Sequence, residues 1–325
     1  MAPRDRSRFG SLLIVTLWLV TILSVLAVTI ARYLSTEIRL TKYRLAREQA
    51  RALARSGIYL AMERLLQDAR SAEPTYEPYD WLGDDWAVTS HDGGERHPSW
   101  VVALPSQGAG ASATQATVGI SITDEERKLN LNQADEATLT NFLHVPDLAK
   151  AIVDYRDPAD ETENRPERQP PYYAKNSPFV SLAELNDLPD LTVEQFDLLA
   201  AHASPYAMTL NINTASPEVF AALGVNQGAI ERVVQFRDGP DGPEAHDADG
   251  IFQTDTLLNT LQDLGLSDAD RNLLSRLGTT SQVFRIVSEG VFADQRSSVH
   301  ARIEAVIQRP ATGSEAPKIL AWREK

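Results

Sequence analysis

No cysteine occurs anywhere in the 325-residue chain. That excludes a disulfide framework, a thiolate nucleophile and a metal site built on Cys ligands. Also missing are His-Glu-x-x-His, Gly-x-Ser-x-Gly, a P-loop and a dinucleotide fingerprint, so no common catalytic constellation presents itself. A signal-anchored periplasmic hydrolase therefore has nothing to work with, and the chain reads as non-enzymatic. Charge is absent from Phe9 to Ala31, a run of 23 residues. Glycine and proline are absent from Ser11 to Ala72 except for Gly57, and Pro74 ends that stretch.

What fills these gaps is a helix. An uncharged run of this length crosses a bilayer core of about 30 Å. Arg4, Arg6 and Arg8 precede it, which predicts a cytoplasmic N-terminus and a bulk that lies outside. A secretory signal has a shorter apolar region and a small-x-small cleavage site, whereas here "AVTIARYLSTEIRL" simply continues as helix. From Ser11 to Ala72 such a helix extends about 90 Å. Its outer half carries an apolar stripe at Leu34, Ile38, Leu45, Ala52, Tyr59, Met62 and Leu66, with Arg39, Arg44, Arg47, Arg51 and Arg55 among its polar positions. The spacing predicts that this stripe packs on a body while the other faces meet water or neighbouring subunits.

The net charge of −14 is unevenly placed. Residues 1–70 hold 12 Lys+Arg against 5 Asp+Glu, and residues 120–281 hold 11 against 28, a local net of −17. So acidic a segment repels phosphate backbones. Strand-like alternation appears in "SWVVAL" and "ATVGISITDEE", and again in "QVFRIVSEG", "SVHARIEAVIQR" and "KILAW". Between the two groups lies a helical block, which reads as an insertion into one α+β domain.

That block repeats itself. "LNLNQADEATL" from Leu129 matches "LNINTASPEVF" from Leu210 at an offset of 81, and "YRD" at Tyr155 matches "FRD" at Phe236 at the same offset. "FVSLAELNDL" from Phe179 parallels "FQTDTLLNTL" from Phe252 at an offset of 73. Three matched pieces in one order define two related helical units. In each, Asn-x-Asn reads as a cap ahead of a first turn at Thr138 and Leu139 or at Pro217 and Glu218. The unit resembles the helix-hairpin-helix module, whose DNA-binding versions need a Gly-x-Gly hairpin for backbone amides to approach phosphates. The first hairpin, "HVPDLAK", has no glycine; the second, "LGVNQGA", keeps Gly224 and Gly228 without the tight motif. With the acidic charge, this predicts a retained fold without the DNA site.

An arginine-preceded Gly10 before "SLLIVTLWL", the stretch "DEERKLNLN", the "LNINTASP" echo, "FRIVSEG", and the closing "RIEAV" and "ILAWRE" together resemble general secretion pathway protein K. That family comprises the K-type minor pseudopilins of type II secretion, and the resemblance covers nearly the whole chain. It implies an α+β fold in which a pilin-like long N-terminal helix packs on an antiparallel sheet, with a large all-α insertion made of two helix-hairpin-helix-like repeats. The implied organisation is a prepilin leader over 1–10, a transmembrane and pilin-type helix over 11–72, a body over 73–130 and 282–325, and the duplicated insertion over 131–281.

The resemblance further implies that a prepilin peptidase cuts between Gly10 and Ser11 and N-methylates Ser11. Val15, the fifth mature residue, stands where most pilin-like subunits carry a glutamate that neutralises the N-terminal amine of a neighbour in the filament core. A subunit lacking that carboxylate suits the tip of a pseudopilus. The implied partners are other minor pseudopilins, the prepilin peptidase, the inner membrane and secreted proteins, with the bulk periplasmic and no nucleic acid. The alternative is a membrane-anchored helix-hairpin-helix DNA receptor of the competence type. Two loops attract a cation reading. His91, Asp92, Glu95 and His97 can be drawn as a metal site but fit a glycine-rich surface loop better. The oxygen-rich loop with Asp238, Asp241, Asp247 and Asp249 is the candidate Ca²⁺ site.

Overall fold

The computed structural model describes residues 7–71, 79–84, 86–87, 100–104, 115–157, 175–188, 191–239, 250–293, 298–310 and 315–325. With so few breakers in the N-terminal sequence, a single 65-residue helix, α1 (Ser7–Ser71), forms there. At 1.5 Å per residue it is about 98 Å long. Every residue from Leu12 to Leu45 is exposed, so the first two-thirds of α1 stands clear of the rest of the chain.

Its last third lies on a five-stranded antiparallel sheet. The strands are β1 (Trp100–Leu104), β2 (Gln115–Asp124), β5 (Val283–Ala293), β6 (Ser298–Gln308) and β7 (Lys318–Glu324), in the order β1-β2-β5-β6-β7. All five strand-like runs of the sequence are strands. Their period-two pattern sends Val118, Ile120, Ile122, Phe284, Ile286, Ile303, Ala305 and Ile307 to one face, where Ala54, Ile58, Ala61 and Leu65 of α1 cover them. Trp86 closes the end of this core edge-on to Phe284, with ring centroids 5.1 Å apart. The contact is tight because both partners are small where they cross. A Cβ on Gly290 would lie 2.1 Å from the Ala50 carbonyl oxygen, and one on Gly57 would lie 2.1 Å from Ser288 Oγ.

This packing corrects the helix face expected from sequence. Leu34, Ile38, Leu45, Ala52 and Tyr59 are exposed, and of the expected stripe only Leu66 is buried, with Met62 partly so. The body instead receives Ala50, Ala54, Gly57, Ile58, Ala61 and Leu65. Close approach to a flat sheet favours small residues, and large apolar side chains at heptad spacing point the other way.

Strands β2 and β5 are neighbours, with Asp124 opposite Phe284, so everything between them is spliced into one joint of the sheet. The insert begins with β3 (Leu129–Asn130), α2 (Glu136–Leu143), α3 (Pro146–Arg156), a 3₁₀ turn (Leu182–Asp187), α4 (Val193–His202) and β4 (Ala203–Ser204). It continues with α5 (Pro217–Ala222), α6 (Gln227–Asp238), α7 (Leu257–Asp263) and α8 (Asp268–Leu274). Each half is a loop tied at its base by a parallel bridge: Leu129 to Ala203 and Asn130 to Ser204 in the first, Asn211 to Gly278 in the second. Each has its own apolar core, one around Leu139, Ile152 and Leu199 and one around Phe220, Val233 and Leu261, with Leu210 and Leu223 packed against both.

Candidate functional site

The sequence echo has a side-chain cause. In the first repeat Arg156 is buried and its Nη1 donates to the carbonyls of Leu131 (2.7 Å) and Ala134 (3.0 Å). In the second, Arg237 Nη1 donates to Ile212 (3.4 Å) and Ala215 (2.6 Å), every position shifted by 81. Asn132 accepts from Phe179 N–H at 2.7 Å and donates to Phe179 C=O at 3.0 Å; Asn213 does the same with Phe252, both bonds at 2.9 Å. The aromatic clamped in this way stacks on Tyr155 in one repeat (centroids 5.1 Å apart) and packs at a tilt of 54° against Phe236 in the other (4.8 Å). Asn-x-Asn is therefore a long-range clamp and not a cap. The caps are Asp135, which accepts from Thr138 N–H, and Ser216, which makes no side-chain cap bond.

The hairpins differ from a phosphate-binding geometry. His144 ends α2 at φ 55, a left-handed position where glycine is the unstrained choice. Asp147 then opens the first turn of α3. In the second hairpin Gly224 adopts φ +83 and the Asn226 side chain accepts from Gly228 N–H, occupying an amide that a phosphate would need.

Gly10 and Ser11 lie in the opening turns of α1, and Val15 is 62% exposed among equally exposed apolar neighbours. Hydroxyls within this span bond inward to the helix: Thr16 to Leu13 C=O, Thr21 to Leu17, Ser24 to Val20 and Thr29 to Val25, at 2.8–2.9 Å. Each of these hydroxyls is therefore satisfied within the helix, as hydrocarbon requires. It is the one helix among the described residues that is long and apolar enough to cross a membrane.

Of the candidate calcium ligands, Asp238 accepts from Arg237 Nε at 2.7 Å, and Asp157 is paired in the same way with Arg156. Asp241, Asp247 and Asp249 lie outside the described residues, as do His91, Asp92, Glu95 and His97.

Sequence reading missed the seam where the insertion meets the body. Asp124, at the end of β2, accepts from Glu126 N–H (2.7 Å), Thr214 Oγ1 (2.6 Å) and Ser281 Oγ (2.6 Å). Asn211, the first asparagine of the second repeat, donates to Asp80 C=O and Ser281 Oγ, and its own amide donates to Glu126 C=O. Arg309, at the end of β6, forks onto both Asp80 oxygens at 2.8 and 2.7 Å and reaches Asp68 at 3.0 Å. Carboxylate oxygens of Asp68, Asp80 and Asp84 converge within 4.8 Å, and the Arg309 guanidinium supplies their counter-charge. On the other side, Glu125 pairs with Arg285 (2.6 Å) and Lys128 (3.3 Å) and accepts from Ser204 Oγ. Burial pushes Glu125 up, but the Arg285 and Lys128 charges outweigh it and hold its carboxyl below the usual range. Burial, reinforced by the Asp68 charge, raises Asp84 to about 8. The only sequence sign of this seam was the acidic run "DEER" beside the repeat.

A long N-terminal helix with one face sealed on an antiparallel sheet defines a pilin-like α+β protein, here carrying a duplicated helical insertion between adjacent strands. No protein-family model matches the chain, and no curated protein matches it in sequence. Among solved structures, it is similar to a chain in the crystal structure of the GspK-GspI-GspJ complex from the enterotoxigenic Escherichia coli Type 2 Secretion System. The TM-score is 0.60 at 15% identity, over 88% of this chain and 99% of that one. Fold and sequence resemblance thus converge on the same pilin-like architecture.

Proposed function

We propose that the chain is a non-enzymatic minor pseudopilin of a type II secretion system, anchored in the inner membrane by α1 with its bulk in the periplasm. It assembles with other minor pseudopilins, caps the tip of the pseudopilus and assists export of proteins across the outer membrane. The observation that carries this reading is the double use of α1. One face is sealed on the body, and on the opposite face Ile38, Leu45, Ala52 and Tyr59 stand exposed seven residues apart. Heptad spacing of this kind fits a second helix better than water. Lys42 and Arg44 flank the stripe and would be complemented by acidic positions on a partner helix, whereas Arg55 is already paired with Glu324. Val15 supports the tip position by the logic of the missing carboxylate.

Five cations follow the membrane span within sixteen residues against three before it, so the orientation rests on the leader. In the family the sequence resembles, the enzyme that cuts after the glycine works on the cytoplasmic face. Calcium at the second acidic loop is proposed on donor chemistry alone: hard oxygens on a turn-rich loop. The DNA-receptor alternative gains no support from hairpins that carry an acidic first turn and an already bonded amide.

The natural lack of cysteine makes the test direct. Single cysteines at Ile38, Leu45 or Tyr59 should form disulfide cross-links to cysteines on the helices of other minor pseudopilins from the same system, and a cysteine at Ala54 should not. Equal cross-linking from both faces, or none from the outward one, would refute the assignment.

A further inference from the structure

Carboxylates outnumber cations where the insertion seats on the body, and one of them is incompletely bonded. Asp124 is 1% exposed and Glu126 2% exposed. Asp124 accepts three hydrogen bonds, whereas among the described residues the Glu126 carboxylate accepts only from Gln282 N–H, through Oε2 at 3.1 Å, and its buried Oε1 has no partner there. The charged groups around Glu126 come from every element of the seam. Asp124 ends β2 just ahead of the turn that carries Glu126, Asp80 comes from the segment after α1, and Arg309 comes from the end of β6. Arg309 is already forked onto Asp80 and bonded to Asp68. Arg127 is half-buried and interacts with Asp124, Glu218 and Arg237, while Glu125 is closed off with Arg285 and Lys128. An ionised Glu126 would thus sit out of water beside a second carboxylate with no cation of its own.

We propose that Glu126 is a proton-held latch: its neutral form lets the helical insertion seat on the sheet, and its ionisation loosens the seam made by Asn211, Thr214 and Ser281. The inference rests on the fold alone and is independent of the proposed partners. The titration behaviour agrees with it. Burial first, then the Asp124 charge, raises the Glu126 carboxyl to about 8, and burial raises Asp124 to about 6. A carboxyl whose pKa is higher in the seated state favours that state fully below its ordinary value, and the advantage is lost as pH rises through the seated value. The Glu126 proton contributes about tenfold per pH unit to seam opening between about 5 and 8, and the Asp124 proton adds to it only below about 6.

The test is hydrogen exchange of the full chain in detergent at pH 5.5, 6.5 and 7.5, corrected for intrinsic exchange. Peptides covering 208–216 and 280–286 should lose protection about tenfold per unit relative to peptides from the centre of β6. Glu126→Gln should abolish that slope while keeping the seam protected at pH 7.5. If Glu126→Gln fails to fold, Asp124→Asn provides the second arm, because removing the neighbouring charge should lower the seated pKa of Glu126, so that the loss of protection levels off at a lower pH and is smaller overall. Protection that is flat with pH in the wild-type chain, a wild-type slope in Glu126→Gln, or an unmoved transition in Asp124→Asn each overturns the proposal.

Discussion

Asp124 and Thr214 are 90 residues apart in sequence, yet the threonine hydroxyl donates to the aspartate at 2.6 Å. This bond joins the last residue of a body strand to the start of the second helical repeat. Ser281 completes the contact from the strand that follows the insertion.

Asp124→Ala removes the acceptor of three buried donors at once. The expected loss is about 3 kcal/mol, seen as a lowered midpoint in thermal unfolding of the detergent-solubilised chain. An unchanged midpoint would mean that the insertion seats by other contacts.

Arg156→Ala and Arg237→Ala should act locally. Each leaves two buried carbonyls unmet at the base of its own repeat, at a cost of about 2–4 kcal/mol. Hydrogen exchange should show the 129–204 half loosened by the first substitution and the 210–278 half by the second.

Gly290→Val drives a side chain into the Ala50 carbonyl, since an added Cβ would lie only 2.1 Å from its oxygen. Overpacking of this kind costs about 1–3 kcal/mol, and here it levers α1 off the sheet. Limited proteolysis within residues 46–65 should accelerate, whereas Gly224→Ala, with open space around a φ of +83, should cost only its backbone strain.

Acid has an opposite effect on the two sides of the seam. Glu125 is held below its usual range, so it contributes stability at neutral pH that is lost as pH falls through its folded value. Glu125→Gln should lower stability at pH 7 and flatten its decline toward pH 3, measured by urea unfolding at a series of pH values.

Calcium binding at the second loop predicts saturable heat in isothermal titration and a rise in unfolding temperature. Asp238→Asn combined with Asp247→Asn should remove both. Persistence of either would place the ion elsewhere.

The architecture was legible in the sequence because its signals are local: breakers missing over one long helix, period-two alternation in five strands, and an echo at a fixed offset. The echo is strongest at Asn132 and Asn213 and at Arg156 and Arg237, the residues that clasp each repeat, so the repeat boundaries were visible before their cause was. The body-facing side of α1 is not legible from apolar size, which marks Leu45 and Tyr59, because contact with the sheet selects Ala50, Ala54 and Gly57. The carboxylate seam was hidden for a different reason. Asp80, Asp124, Glu126, Ser281 and Arg309 come from four separated stretches, and only the completed sheet brings them together.

The central claim, that α1 is a processed pilin-type helix, is tested most directly by mass spectrometry of the N-terminus of the membrane-extracted protein. The account predicts a chain that starts at N-methylated Ser11. An intact Met1, or a cut near Ala31, would contradict it.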